Sequence, residues 1–199
     1  ILFIFSFFIL TGCNNYKSTI SKNKYCTIYY CINKTINITI HTNKGDLNFD
    51  LYGNHAPVTV GNFIKLVRKG SYEYTNFFNI IKDPYPFTLS GGRPSLTVND
   101  ENKKKLNIEK ERSFIPLEIK TKDEVIPRYS YPIKDTNEIK NIILKHEKGV
   151  LSMSRFESYN SASNEFFITL RSLPVLDGRY SVFGKLISGF RVLENINKN

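Results

Sequence analysis

The chain has 199 residues, enough for one domain with a sizeable core, and its 15 Phe and 12 Tyr supply ample apolar side chain to bury. A formal charge of +10 allows attraction to nucleic acid or to an anionic membrane surface. No nucleic-acid motif or aromatic-interleaved basic helix accompanies that charge. The favoured reading is therefore a solvated Lys-rich surface in a chain rich in Asn, Lys and Ile, with no nucleic acid as partner. His41, His55 and His146 have no neighbour at metal-ligand spacing, so neither a metal nor a cofactor is expected.

Residues 1–10, Ile-Leu-Phe-Ile-Phe-Ser-Phe-Phe-Ile-Leu, are apolar apart from Ser6. The run falls short of the roughly 20 residues that span a bilayer and suits the apolar region of a secretory signal. Leu10-Thr11-Gly12-Cys13 follows and looks like a bacterial lipobox, which predicts cleavage before Cys13 and lipidation of its thiol. An ordinary signal peptide with a chance Cys is the plainer alternative. On the favoured reading 1–13 is a signal segment and the mature chain is exported and membrane-anchored at Cys13. The compartments that fit are the periplasmic face of an inner membrane and a thylakoid lumen. Residues 14–34 lack helical periodicity and read as a tether. Within it Cys26 and Cys31 either form a local disulfide or remain free thiols; an oxidising compartment makes the bridge possible.

The domain is expected over 35–199. Ile36, Ile38 and Ile40 alternate with polar residues, Asn43-Lys44-Gly45-Asp46 reads as a hairpin turn, and Leu47, Phe49 and Leu51 share one face of a second strand. Pro57 opens a helix with Val60, Phe63, Ile64 and Val67 on one buried stripe, stopped near Gly70. Further on, Val150 to Met153 and Phe166 to Leu170 read as strands around a Ser/Asn-rich loop. A tight turn at Leu176-Asp177-Gly178-Arg179-Tyr180 precedes a third strand, Ser181 to Phe183, ending at Gly184. Phe190 to Ile196 reads as a closing helix.

Two strings carry more than periodicity. Gly149-Val150-Leu151-Ser152-Met153, Phe166-Phe167-Ile168-Thr169 and Leu176-Asp177-Gly178-Arg179-Tyr180-Ser181-Val182-Phe183-Gly184 closely resemble the second half of a cyclophilin, a peptidyl-prolyl cis-trans isomerase. Thr42-Asn43-Lys44-Gly45-Asp46 through Ala56-Pro57-Val58-Thr59-Val60 to Asn62-Phe63 resembles that family's first hairpin and helix. The resemblance covers about Ile36 to Ile196. It implies a mainly β fold: an eight-stranded antiparallel β-barrel capped by two α-helices.

The departures fall on the chemistry. By the resemblance the catalytic arginine position is Asn79, the preceding His is Phe78, the pocket Met is Thr88 and the pocket Gln is Ser90. The Asp after Gly91-Gly92 is Arg93. The Ala and Asn-or-Arg that follow the strand are Ser154 and Arg155, the loop's last Gln is Glu165, and the position often held by Trp is Val175. Kept are Phe77, Ile80, Ile81, Phe87, Phe167 and Leu176; Tyr180 stands where His or Tyr varies. The implied site is Asn79, Ser90, Glu165 and Arg155 for catalysis. Phe87, Thr88, Ser154, Phe167, Leu176 and Tyr180 would bind the substrate.

Rotation about an X-Pro bond crosses a barrier of roughly 18–20 kcal/mol because the amide is conjugated. The family mechanism has no covalent intermediate: the pocket holds the ring, and the arginine donates a hydrogen bond that favours a pyramidal prolyl nitrogen. Asn79 is a shorter, uncharged donor, so reduced activity is expected, with Arg155 or Arg93 as candidate substitutes and Glu165 as an ion-pair partner for Arg155. The alternative function is an inactive module that binds proline-containing peptides at a membrane surface. Proline-containing polypeptides are the expected partners and the protein is expected to be a monomer. The charged stretch 94–148 exceeds the compact family core and reads as a decorated loop rather than a partner surface. It has an exposed loop at 102–105, a strand over Phe114 to Ile119 and a short helix or strand over Asn137 to Leu144. Together with the lipobox it resembles lipoprotein cyclophilins of cyanobacteria.

Overall fold

A computed structural model describes residues 23–73, 75–81, 85, 87–94 and 113–198. The expected signal segment with Cys13, the first part of the expected tether and the expected loop at 102–105 lie outside them. Alternation builds the first hairpin. β1 (Thr35–Thr42) turns Ile36, Ile38 and Ile40 to one face, and β2 (Gly45–Tyr52) buries Leu47, Phe49 and Leu51 completely. Helix α1 (Pro57–Arg68) follows. Of its predicted stripe Val60, Phe63 and Ile64 are buried. Val67 lies in the last turn, where it lines a groove beside β1, and is 44% exposed.

Short strands follow: β3 (Thr75–Asn76), β4 (Asn79–Ile81), β5 (Thr88–Gly91), β6 (Arg93–Pro94), β7 (Glu118–Ile119) and β8 (Arg128–Tyr129). Helix α2 (Thr136–Lys140) precedes β9 (Val150–Met153), β10 (Phe166–Thr169), β11 (Val182–Ser188) and helix α3 (Phe190–Lys198). Seven strands form one antiparallel sheet in the order β1-β2-β11-β9-β10-β5-β4. β3 pairs with β6 and β7 with β8. One side-chain row crosses the whole sheet: Ile80, Leu89, Ile168, Leu151, Gly184, Leu51, Ile36. Directly opposed residues share a face. This face is the core, with Leu89, Ile168, Leu151 and Leu51 fully buried. Phe63 from α1 packs into it against Tyr72, Phe166 and Phe183 at ring distances of 5.0, 5.8 and 5.2 Å.

Among the described residues seven strands form the main sheet and no pairing joins β1 to β4. An apolar groove of about 620 Å³ lies between β1 and Phe63, Tyr72, Phe77 and Phe166. α1 and α3 are the two expected helices; α2 falls where a short helix or strand is expected, and Asp135 caps it by accepting from the N–H groups of Asn137 and Glu138. The third strand does not stop at Gly184: that residue pairs with Leu51 on one side and Leu151 on the other, and two-sided pairing carries β11 on to Ser188.

At the N-terminus the packed unit extends back at least to Asn23. Lys24–Thr27 form a 3-10 turn, a disulfide joins Cys26 to Cys31, and Ile32 is buried. Tyr25 stacks on Tyr129 with ring centroids 3.8 Å apart, and Asn23 donates to the Tyr129 hydroxyl at 2.6 Å. Gly61 of α1 makes room for this segment, since a Cβ there would lie 1.8 Å from the Tyr30 carbonyl oxygen.

The described part of the 94–148 stretch is likewise built into the fold. Leu117, Ile119, Ile133 and Ile142 form a second small core, and Ile115 bridges to Ala162. The expected strand over Phe114 to Ile119 is only two residues of ladder, because Pro116 has no N–H to donate.

Candidate active site

The site is a second row on the opposite face of the same strands. Asn79 of β4 faces Ser90 of β5, Ser90 faces Phe167 of β10, Phe167 faces Ser152 of β9, and Ser152 faces Val182 of β11. One row further along, Ile81, Thr88 and Thr169 align. Register therefore brings Asn79, Ser90, Thr88 and Phe167 together although 77 to 88 residues separate the last from the others. Asn79 is exposed and Ser90 half-buried at the open end, while Phe167 and Thr88 are each only 6% exposed. Phe87, half-buried, is tied at both ends: its N–H donates to Ile81 O at 2.8 Å and its carbonyl accepts from Leu170 N–H at 3.0 Å.

Leu176 and Tyr180 come from the turn between β10 and β11. A 3-10 turn over Pro174–Leu176 leads to Gly178 at φ +76°. A Cβ at Gly178 would lie 2.2 Å from the carbonyl oxygen of Ile133, whose N–H donates to Gly178 O at 2.9 Å. Glycine is the residue that takes this conformation without cost, and the turn rests on the inserted segment. Tyr180 meets Phe167 edge-on, with centroids 5.6 Å apart at 86°. Val175, at the position often held by Trp, is 58% exposed.

The two arginines are both engaged. The Arg155 guanidinium lies between the rings of Tyr159 and Tyr180, 4.7 Å from each centroid. Its Nε donates to Arg179 O at 3.1 Å, and Nη1 donates to Phe156 O and Glu157 O at 2.9 and 3.0 Å. Three of its five N–H donors are thus turned to main-chain carbonyls. Glu165 pairs with Arg93, not with Arg155: Nε and Nη2 of Arg93 donate to the two carboxylate oxygens at 3.0 and 3.1 Å. The same guanidinium lies 4.1 Å from the Phe78 ring. Hydrogen bonding to Glu165 pushes the Arg93 pKa upward, so it stays charged. The strands explain the swap, since Arg93 follows β5 and Glu165 immediately precedes β10, its direct partner. Ser154 N–H donates to Glu165 O at 2.9 Å, and Asn164 Nδ2 to Gly92 O at 2.8 Å, which ties the loop's ends to the sheet. A small cavity of about 50 Å³ opens beside Ser154, Arg155, Asn164 and Glu165.

Sequence reasoning missed a buried constellation behind the pocket. His146 Nδ1 lies 2.8 Å from Asp177 Oδ1, and His146 Nε2 lies 3.1 Å from Ser152 Oγ. The His stands only 6 residues before the Ser and 31 before the Asp, and nothing in that spacing marks a site. Among the described residues no group of three or more His, Cys, Asp or Glu could hold a metal ion. No described helix is long and apolar enough to cross a membrane.

An antiparallel sheet with α1 packed in its core, and on its outer face a row of one small donor and one buried aromatic ring, is the arrangement of a cyclophilin-like fold. The solved structures agree. A cyclophilin type peptidyl-prolyl cis-trans isomerase of Cryptosporidium parvum, crystallised in the presence of the dipeptide Ala-Pro, matches with a TM-score of 0.57 at 29% identity; the match covers 81% of this chain and 85% of that one. A cyclophilin of Hirschia baltica shares the fold at a TM-score of 0.54 and 21% identity, over 80% of this chain and 68% of that one. Residues 37–199 match the family model of the cyclophilin type peptidyl-prolyl cis-trans isomerases. A peptidyl-prolyl cis-trans isomerase of Dictyostelium discoideum is 32% identical over 160 residues, 80% of this chain and 83% of that protein. A peptidyl-prolyl cis-trans isomerase-like 1 protein of Gibberella zeae is 34% identical over 163 residues, 81% of this chain and 82% of that protein. The chain belongs to the cyclophilin-type peptidyl-prolyl cis-trans isomerase family.

Proposed function

We propose that this isomerase acts on proline-containing segments of exported polypeptides, at a reduced rate, with Asn79 in the place of the donor that weakens amide conjugation. The observation that carries the reading is the row Asn79-Ser90-Phe167, which sets a hydrogen-bond donor at the open end of the face whose buried end is an aromatic floor. Phe87, Thr88, Phe167, Leu176 and Tyr180 hold the prolyl ring by apolar contact. Asn79 donates from an uncharged amide on a short side chain. A positioned donor acting on the transition state is worth about 10²–10³ in rate by analogy with oxyanion-hole deletions. Ser90 stands beside Asn79 in this row, and Glu165 is occupied by Arg93. Arg155 acts as a staple for the Tyr180 loop, not as a replacement donor.

The export reading rests on the apolar run at 1–10 and Leu10-Thr11-Gly12-Cys13. It places the protein at a membrane through lipid on Cys13, on the periplasmic face of an inner membrane or in a thylakoid lumen. Metabolic labelling with radioactive palmitate tests it: label on the wild-type chain and none on Cys13→Ser is expected, and equal labelling contradicts it.

The second reading is a binding module without catalysis, favoured by the joint replacement of four pocket positions at Asn79, Thr88, Ser90 and Glu165. Titrating the full chain with an Ala-Pro peptide and following both binding and cis-trans exchange by NMR separates the two. Exchange accelerated above the spontaneous rate supports the isomerase; binding with no acceleration supports the module.

A further inference from the structure

His146 has no role in the mechanism above, yet the parts of the pocket converge on it. Its ring stands 6.0 Å from Phe167 and nearly parallel to it, at 13°. It stands 6.5 Å from Tyr180, edge-on at 82°. Asp177 Oδ1 accepts from the His146 backbone N–H at 2.8 Å as well as from Nδ1. The His146 carbonyl accepts from Leu173 N–H at 2.7 Å, at the start of the turn that carries Leu176. Ser152 Oγ, 3.1 Å from Nε2, also lies 3.1 Å from the Ser181 carbonyl. His146, Asp177 and Ser152 are 2%, 6% and 0% exposed.

Carboxylate, imidazole and hydroxyl stand here in the order a nucleophilic triad uses. No acyl transfer follows from it, because Ser152 has no exposed surface for a substrate carbonyl to reach. What the constellation can do is hold a ring still. Buried polar atoms left unpaired are costly, so an imidazole bonded at both nitrogens has one orientation. A ring fixed in this way fixes the two aromatic rings packed against it.

We propose that His146 is a positioning residue of the proline pocket. Asp177 and Ser152 set its ring, the ring sets Phe167 and Tyr180, and Asp177 ties the Leu176 turn to the same point. The proposal rests on the isomerase reading of this site. Pocket shape is shared by bound substrate and transition state, so loss of the ring raises KM and leaves kcat in place. The donor at Asn79 acts on the transition state and moves kcat instead.

The test is the kinetics of Ala-Pro peptide isomerisation by the full chain carrying His146→Asn or Ser152→Ala, with the ring resonances of Phe167 and Tyr180 followed by NMR. Asn at 146 keeps a donor toward Asp177 and removes the ring. Its expected effect is a KM rise of about tenfold, the scale of a lost aromatic contact in a binding pocket. The expected kcat stays within about twofold, and the two ring resonances shift. Ser152→Ala keeps the ring and frees one nitrogen, and a smaller KM rise is expected. An unchanged KM in both variants alongside a lowered melting temperature overturns the proposal, leaving a purely structural role. If His146→Asn does not fold, Ser152→Ala decides alone by the same criterion. If the wild type does not accelerate exchange, the functional reading fails separately and Ser152→Ala, which keeps the imidazole and its ring current, decides by the resonances: unmoved Phe167 and Tyr180 signals overturn the positioning role whatever the activity, and shifted signals support it.

Discussion

At the scale of single residues the proposed pocket combines apolar residues that the resemblance implies with polar residues that depart from it. The strands beside Phe87 and through Phe167 were legible in the sequence because their apolar strings are distinctive. The polar partnerships were not legible. Glu165 stands 10 residues from Arg155 and 72 from Arg93, yet sheet register hands it to Arg93. The Arg93–Glu165 pair is half in solvent, with Arg93 54% and Glu165 25% exposed at the side chain. Exposed ion pairs contribute about 0–1 kcal/mol. Arg93→Ala is therefore expected to leave the melting temperature within a few degrees of wild type and to leave exchange activity unchanged. A large loss of activity in that variant would show that Arg93 has taken over the donor role. Arg155→Ala differs in kind, since it removes a staple from the Tyr180 loop. Peptide affinity is expected to fall while the rate of the bound peptide holds, which a titration combined with exchange measurements reads directly.

At the scale of elements the start of α1 shows why a local reading falls short. Pro57 marks the first helical position, but Ala56 at the N-cap has no side chain to bond the free N–H groups. Glu118, about sixty residues on, supplies the cap: its carboxylate accepts from Val58 N–H at 3.1 Å, Thr59 N–H at 2.8 Å and the Thr59 hydroxyl at 2.7 Å. Its own N–H donates to Ser181 Oγ at 2.7 Å. No sequence window contains both halves of this cap, which is why the inserted stretch read as decoration. Burial pushes the Glu118 carboxyl up from its ordinary value of 4.5, against the hydrogen bonds from Thr59 and Val58 that pull it down. A raised folded-state pKa means that the native state holds more protons than the unfolded one just above pH 4.5. The Glu118 contribution is thus fully present below that pH and lost as pH rises through the folded-state value. Glu118→Gln is expected to flatten this part of the stability-versus-pH curve measured by urea unfolding; an unaltered slope would contradict it.

The disulfide-closed turn belongs to the same scale. It holds Tyr25 on Tyr129, and Tyr129 lies beside Glu118. Closing so short a loop is worth about 2 kcal/mol in the chain-entropy model. Reduction, or Cys26→Ser with Cys31→Ser, is expected to lower the melting temperature by several degrees and leave the sheet's circular dichroism intact.

For the molecule as a whole, the strand alternation, the Pro-initiated helix and the closing helix were all readable before any coordinates, because each rests on short-range periodicity and on burial of one face. What could not be read was how the chain closes on itself. The N-terminal segment looked like a tether because its apolar groups are few and unevenly spaced, and only Tyr129, over a hundred residues away, shows where Tyr25 packs. The His146 constellation was hidden for the same reason. On the proposed reading the rate turns on Asn79, in a pocket that also departs from the family pattern at Thr88, Ser90 and Glu165. The measurement that tests this most directly is cis-trans exchange of an Ala-Pro peptide by NMR, with the wild-type chain run beside Asn79→Arg. The expected result is weak acceleration by the wild type and a gain of about 10²–10³ in Asn79→Arg. Strong acceleration by the wild type with no gain in the variant would contradict the account, because the donor would then lie elsewhere in the site.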